Sequence, residues 1–481
     1  MSFKKGEQYT GIVEKVKFPN KGVVRCDDNP GYCIVKNVVM GQKITFMVSK
    51  KRGENAEGRL ISVLEKSPVE CDSDCSHFDE CGGCAYRNIP YEEQLKLKQN
   101  QVFELLKDYA DDECFTDIQG SPVIYGYRNK MEFSFGDGYM GGPLELGLHK
   151  RGSFYDILTV RDCRIIDDDY RKILTETLGF FRNTGIPFYH KLRHEGVLRH
   201  LLIRKAVKTG EILVDLISAS KIDEEILKNY VNLIKGLSYD GELVGILNTI
   251  NTSLSDTIRD DGTDILFGRD YFYEELLGLK FKITPFSFFQ TNSYSAEVLY
   301  DTVRKLAGGT INNNVIYDLY SGTGTIAQLL AGVAKKVIGV EIIPEAVLAA
   351  KENAALNGLH NCDFIAGDVL KVIDDIEDKP DYIVLDPPRD GIHPKALPKI
   401  LSYGVENIIY ISCKPTSLAR DLPEFIKAGY KALKVCPVDQ FPYTGHVETV
   451  VLMSRETSRQ AKDYIKVGID AEEYYKIKEG K

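Results

Sequence analysis

The chain has 481 residues, of which 43% are hydrophobic and 27% charged. That length exceeds one ordinary domain, so two to four are expected, and the composition excludes a mostly disordered polymer. The formal charge of −9 is unevenly spread: residues 1–66 hold 13 Lys and Arg against 7 Asp and Glu, which leaves −15 for the remainder. A basic module on an acidic body suits an anionic partner, although ordinary solvated surface gives the same asymmetry.

In chain order, Met1 to Thr10 carries Lys4, Lys5 and Glu7 and no apolar stretch. No later run approaches the ~18 apolar residues of a spanning helix. A cytoplasmic chain with no membrane partner is expected. Residues 1–66 then read as short, evenly spaced strands with turns: Tyr9–Val13, Gly22–Arg25, Gly41–Val48 and Arg59–Leu64. That rhythm predicts a small OB-like β-barrel. Ser67-Pro68 opens a linker into four cysteines within fourteen residues, Cys71, Cys75, Cys81 and Cys84. The chain has eleven cysteines, an odd number in a reducing compartment, which argues against a disulfide framework and for a metal or iron–sulfur site. A Glu-, Gln-, Leu- and Lys-rich stretch predicts a helix over Glu92–Lys107, within 91–112, that packs on the catalytic domain. Residues 120–285 mix strands such as Lys130–Phe135 with helices.

From Val315 the rhythm changes. Val315–Leu319, Val337–Glu341, Asp363–Asp368, Tyr382–Asp386 and Asn407–Ser412 read as strands separated by Ala- and Leu-rich helices. Alternating strand and helix predicts a doubly wound, Rossmann-like sheet. The expected fold class is therefore α/β plus β: a barrel at 1–66, a central α+β domain with the cysteine cluster at 67–285, a doubly wound catalytic domain at 286–453 and a charged tail at 454–481. Ala471–Ile477 is a helix candidate in that tail.

The chemistry collects at strand ends. Asp318-Leu319-Tyr320-Ser321-Gly322-Thr323-Gly324-Thr325 joins the first strand to its helix, and its glycines allow a tight turn near a ligand. Glu341 ends the next strand, where a carboxylate can accept two ribose hydroxyls; Asp368 ends the third, where it could face an adenine amino group. Asp386-Pro387-Pro388 follows the fourth. The set resembles a class I S-adenosylmethionine-dependent methyltransferase. Cys413 follows the fifth strand, ahead of a helix whose dipole could favour a thiolate, and Glu448 starts a last strand at the same edge. Methylating uracil C5 needs that pair. A thiolate adds to C6, C5 takes the methyl, a base removes the C5 proton and the thiol leaves. Most free cysteines are small buried hydrophobes, so position alone leaves Cys413 undecided. His446 is given no role.

Ser412-Cys413-Lys414-Pro415, Asp386-Pro387-Pro388-Arg389-x-Gly391, His446-Val447-Glu448-Thr449 and Phe288-Phe289-Gln290-Thr291-Asn292 are similar to the signature motifs of the RNA uracil-5 methyltransferase family. Lys414 and Gln440 depart from its commonest residues. The resemblance implies Cys413 as nucleophile, Glu448 as base, and S-adenosylmethionine held by Gln290, Tyr320, Thr325, Glu341, Asp368 and Asp386. It implies a 4Fe–4S cluster on Cys75, Cys81, Cys84 and Cys163, with zinc on Cys71, Cys75, Cys81 and Cys84 as the alternative. The N-terminal module looks like a TRAM domain, a small RNA-binding barrel. Barrel and cysteines together resemble the branch that acts on 23S ribosomal RNA; the alternatives are a tRNA uracil-5 methyltransferase and a non-catalytic RNA-binding or assembly factor. An RNA cytosine-5 enzyme would want a cysteine where Arg389 stands. Lys191 to Lys208, with Leu198–Arg204 alternating, is a second basic face expected to meet RNA, and Tyr127–Lys130 offers stacking and charge.

Overall fold

The computed structural model describes residues 2–27, 29–308, 314–372, 376 and 378–455. The tail beyond 455, with its helix candidate at Ala471–Ile477, lies outside them. Five strands, β1 (Gln8–Lys17), β2 (Lys21–Cys26), β3 (Asn29–Lys36), β4 (Lys43–Arg52) and β5 (Asn55–Glu65), close into a barrel in the order β1-β2-β3-β5-β4. Alternation sets its interior, with Cys33 and Val35 of β3 and Ile44, Phe46 and Val48 of β4 buried together. The sequence patterning passes over β3, because Asn29-Pro30-Gly31 has the composition of a turn.

Helix α1 (Tyr91–Leu106) follows Pro90. Its Val102 and Leu106 enter the core of the C-terminal sheet, while Gln101 donates to the Val16 carbonyl of the barrel at 3.1 Å. The next sheet has seven strands: β6 (Lys130–Asp137), β7 (Leu144–His149), β8 (Ile157–Leu158), β9 (Leu198–Lys205), β10 (Glu211–Ser218), β11 (Glu242–Ile250) and β12 (Thr263–Gly268), ordered β12-β11-β10-β9-β6-β7-β8. Helices α2 (Asp168–Arg182) and α3 (Glu224–Lys235) cover one face, packing Phe181, Tyr230 and Ile234 against Phe133, Leu201 and Ile203. The basic face expected along Leu198–Arg204 is not a surface. Arg199, His200 and Arg204 are buried. Arg199 donates to the carbonyls of Asn251, Ser253 and Ser255, and Arg204 to that of Ser287. Lys191 pairs with Asp256, Lys205 with Asp167 and Asp169, and Lys208 with Glu297. β9 is the middle strand of its sheet, so these covered cations are held by carbonyls and carboxylates, with the Nε groups of Arg199 and Arg204 left without a partner among the described residues. Tyr127 is likewise fully buried, its hydroxyl on the Pro442 carbonyl at 2.9 Å, so it cannot stack on RNA.

A hairpin, β13 (Phe272–Leu276) and β14 (Leu279–Ile283), and helix α4 (Ser293–Leu306) lead into the C-terminal sheet. There β15 (Val315–Leu319), α5 (Thr325–Ala331), β16 (Lys336–Glu341), α6 (Pro344–Leu356), β17 (Cys362–Ala366), α7 (Val369–Val372), β18 (Tyr382–Leu385), α8 (Ala396–Ser402), β19 (Asn407–Ser412) and α9 (Pro415–Lys427) alternate, followed by β20 (Tyr430–Val438) and β21 (Glu448–Arg455). The order is β17-β16-β15-β18-β19-β21-β20, with β21 antiparallel to both neighbours. Unbroken apolar runs such as Ile408–Ile411 suit strands covered on both faces. No helix among the described residues is long and apolar enough to cross a membrane.

Candidate active site

Strand register brings the expected residues to one edge. Leu319 pairs with Val340 on one side and Leu385 on the other, so the next residues, Tyr320, Glu341 and Asp386, stand in a row at the carboxyl ends of β15, β16 and β18. Ser412 pairs with Thr449 across β19 and β21, which sets Cys413 opposite Glu448. Ligands in open α/β sheets bind at this edge.

The turn after β15 is built around two carboxylates. Gly322 and Ile343 main-chain N–H groups donate to the two Glu341 carboxylate oxygens at 3.0 and 2.9 Å, so the acid is aimed from both sides. Asp318 is fully buried and accepts from Ser321 Oγ and Ala327 N–H, both at 3.0 Å. Its other oxygen has no hydrogen-bond partner among the described residues, and burial raises its carboxyl to about 7. Tyr320 takes φ +68°, which turns the chain out of the strand, and burial lifts its phenol to about 12, with the neighbouring Asp368 charge adding to it. Gly324, at φ +75°, precedes Thr325, the first residue of α5. A Cβ there would stand 2.5 Å from the Phe364 ring, so only glycine lets this turn lie on β17. Asp368 lies just past β17, its carbonyl accepting from Lys371 N–H at 2.8 Å.

Cys413 and Glu448 share one electrostatic environment. Cys413 is half-buried beside α9, where Pro415 takes the first helical position. Burial, then the Glu448 and Asp386 charges, raise its thiol to about 11, while Arg389 opposes them. Glu448 is buried; burial and Asp386 lift it to about 8, again against Arg389. Asp386 is half-buried and raised by burial to about 7. His446, pushed down to about 4 by burial, is neutral near pH 7. Cys413, Glu448 and Asp386 thus hold their protons above the usual range, with Arg389 acting against the shift at the first two. The sequence motifs include Asp318, at the head of the glycine turn, and Arg389, after Asp386-Pro387-Pro388, but assign neither a role in the site.

Gln290 arrives from the far side. Asn129, just ahead of β6, donates to the Gln290 carbonyl at 2.9 Å and to Ser293 Oγ at 2.8 Å. Asn292 caps α4 and donates to the Gln440 carbonyl at 2.9 Å. The segment 439–446, which leads into Glu448, is held throughout. Lys98 of α1, fully buried, reaches Asp439 at 2.6 Å and the Phe441 carbonyl at 3.0 Å. Tyr443, at φ +66°, accepts main-chain bonds from Ala85 and Tyr86 and donates its N–H to Gln94. Arg87 lies 3.9 Å from the Tyr443 ring centroid and pairs with Asp74 at 2.9 Å.

The four expected cysteine ligands meet. Cys75, Cys81, Cys84 and Cys163 line one small cavity with Phe78, Leu148, Val160 and Ile165. Gly83 N–H donates to Cys81 Sγ at 3.3 Å. Burial raises the thiols of Cys84 to about 12 and Cys163 to about 11. Cys71 is exposed and off this cavity. Among the described residues no group of three or more His, Cys, Asp or Glu is arranged to hold a single metal ion.

Residues 188–456 match the family model of tRNA (uracil-5-)-methyltransferases. The chain belongs to that family. It is an S-adenosylmethionine-dependent RNA methyltransferase. An uncharacterized RNA methyltransferase of Clostridium tetani is 49% identical over 457 residues, covering 95% of this chain and 99% of that protein. One from Caldanaerobacter subterraneus is 47% identical, covering 94% and 99%. Among solved structures, the tRNA (uracil-54, C5)-methyltransferase of Pyrococcus abyssi with S-adenosyl-L-homocysteine has a TM-score of 0.72 at 24% identity. The match covers 92% of this methyltransferase and 99% of that chain and speaks to the fold.

Proposed function

We propose that this methyltransferase forms 5-methyluridine in RNA, with 23S ribosomal RNA as its substrate. The observation that carries the chemistry is the placing of Cys413 opposite Glu448 across β19 and β21, beside Asp386. Cys413 must first lose its thiol proton and Glu448 its carboxyl proton, both to solvent, ionisations that a bound cation would favour. The thiolate Sγ then bonds to uracil C6 and the ring's electrons move toward C5 and O4. C5 then takes the methyl group, Glu448 removes the C5 proton, and the electrons expel Cys413. Bound S-adenosylmethionine supplies the electrophilic methyl and a positive charge. Glu341, oriented by two main-chain N–H groups, suits its ribose hydroxyls; Tyr320, Thr325, Asp368, Asp386 and Gln290 complete its surroundings. The half-buried Asp386 carboxylate, raised by burial, fits a site that receives a cation.

Cys75, Cys81, Cys84 and Cys163 form the four-thiol donor set that a 4Fe–4S cluster takes, in an apolar cavity with an N–H aimed at sulfur. The zinc set expected on Cys71, Cys75, Cys81 and Cys84 is not assembled, since Cys71 stands off that cavity. The cluster's part is structural, since the route above moves no electron. The barrel, read as a TRAM domain with its surplus of cations, supports RNA capture.

One observation favours transfer RNA. The Pyrococcus abyssi tRNA enzyme shares the fold over 92% of this chain, so the fold does not separate the two substrates. The deciding experiment measures tritium release from C5-labelled uridine in separately prepared ribosomal and transfer RNA with S-adenosylmethionine. Release from ribosomal RNA alone is expected, and Cys413→Ala should abolish it while cofactor binding persists. Release from transfer RNA alone would overturn the substrate. Full turnover by Cys413→Ala would overturn the covalent route.

A further inference from the structure

Away from the active site, exposed aromatic side chains gather at one place. The loop after β7 carries Phe154, 73% exposed, and Tyr155, 51% exposed. Their ring centroids are 6.2 Å apart, and the Lys191 ammonium, from the loop before β9, stands 5.9 Å from the Phe154 centroid. Rings left in water forgo the free energy of burial unless something covers them. Here cations are interleaved with the rings along the chain: Lys150 and Arg193 lie in the same two loops, 3.7 Å from Glu80 and 3.9 Å from Glu195 at the surface. That mixture suits an anionic polymer with flat bases better than an apolar partner.

The cluster is braced. Arg151, in the same loop, donates to the carbonyls of Phe78, Cys81 and Cys84, and Gly82 N–H bonds the His149 carbonyl. Lys191 is fixed by Asp256 at 2.7 Å. A loop braced this way loses little freedom when a base stacks on its rings.

We infer that Phe154, Tyr155 and Lys191 form a stacking platform for unpaired nucleotides of the RNA substrate, remote from the target uridine. The inference rests on the RNA-methylation reading above. Strand β6 gives the separation. Asn129, at its start, holds Gln290, and Gly136 and Asp137, at its end, share a small cavity with Tyr155. Eight strand residues span roughly 25 Å, about seven stacked nucleotides. A base on the platform therefore lies several positions from the one at Cys413, and its contribution is to affinity.

The test measures direct binding by the Phe154→Ala/Tyr155→Ala double variant and the unmodified chain. Two RNAs are used: a long ribosomal RNA fragment, and an oligonucleotide reaching only a few nucleotides either side of the target. The dissociation constant for the long RNA should rise about tenfold or more. Binding of the short RNA and kcat on saturating long RNA should be unchanged, and Phe154→Trp should keep the affinity. Unchanged long-RNA affinity, or equal losses on both RNAs, would overturn the platform. If the unmodified chain binds the long RNA through these rings yet methylates no RNA, the platform stands and the methylation reading fails.

Discussion

Glu448 heads β21 almost fully enclosed, and its proton is held to about pH 8. In an unfolded chain the same carboxyl titrates near ~4.3. The folded state therefore binds this proton more tightly, and the resulting stabilisation is complete at low pH and lost as pH rises through about 8. Asp318 and Asp386, each raised to about 7, add contributions of the same sign. The cofactor-free protein should unfold at lower temperature at about pH 8.5 than at about pH 6, and Glu448→Gln should flatten that slope because its amide has no proton to lose. Scanning calorimetry across that range checks the sign; a steeper slope in the variant would mean that other groups dominate. The same substitution separates base from scaffold. Without a carboxylate to take the C5 proton, the methylated adduct cannot resolve, so RNA should remain attached to the protein on a denaturing gel. A clean release would remove Glu448 from the role of base.

At the scale of elements, one buried ion pair ties α1 to the catalytic domain beside its apolar contacts. Lys98 and Asp439 are both fully buried at 2.6 Å, with the Tyr91 hydroxyl also on Asp439 at 2.9 Å. Removing one partner leaves a buried charge uncompensated, which costs about 3–5 kcal/mol. Lys98→Met should lower the denaturant-unfolding free energy by that order, and a second change, Asp439→Asn, should recover part of it. If the double variant is no better than the single one, the pair is not what ties α1. Elements differ in how far the chain reveals them. The strands from Val315 to Ser412 were readable because buried parallel strands are continuous apolar runs broken by helices. The strand at Leu198–Lys205 was readable as a strand but not as a middle strand. Alternating charge marks solvent on an edge and internal hydrogen bonding at the centre, and only the sheet order tells them apart. β3 was lost behind Asn29-Pro30-Gly31. The meeting of Cys413 and Glu448 depends on β21 inserting between β19 and β20, a pairing that residue periodicity does not encode.

Across the whole molecule, distant parts of the chain converge on residues 439–446. The barrel supplies the Pro19 carbonyl, which takes the Tyr86 hydroxyl at 2.7 Å and lies so close to Gly445 that no Cβ fits there. α1 supplies Gln94 and Lys98, the segment leading into β6 supplies Tyr127, and the cysteine segment supplies Ala85, Tyr86 and Arg87. Ala85 follows Cys84 directly, so the cavity lined by Cys75, Cys81, Cys84 and Cys163 is one residue from the loop that delivers Glu448. On the proposed reading the cysteines act on the Glu448 loop through position, with no electron transferred. The chain purified without oxygen should be brown, and Cys84→Ser should remove the colour. In that variant the Ala85 and Tyr86 amides, whose partner is the Tyr443 carbonyl, should exchange with solvent faster, while amides in β16 and α9 keep their rates. Loss of colour with unchanged exchange at Ala85 and Tyr86 would separate the cysteine site from the loop and leave α1 and the barrel as its supports.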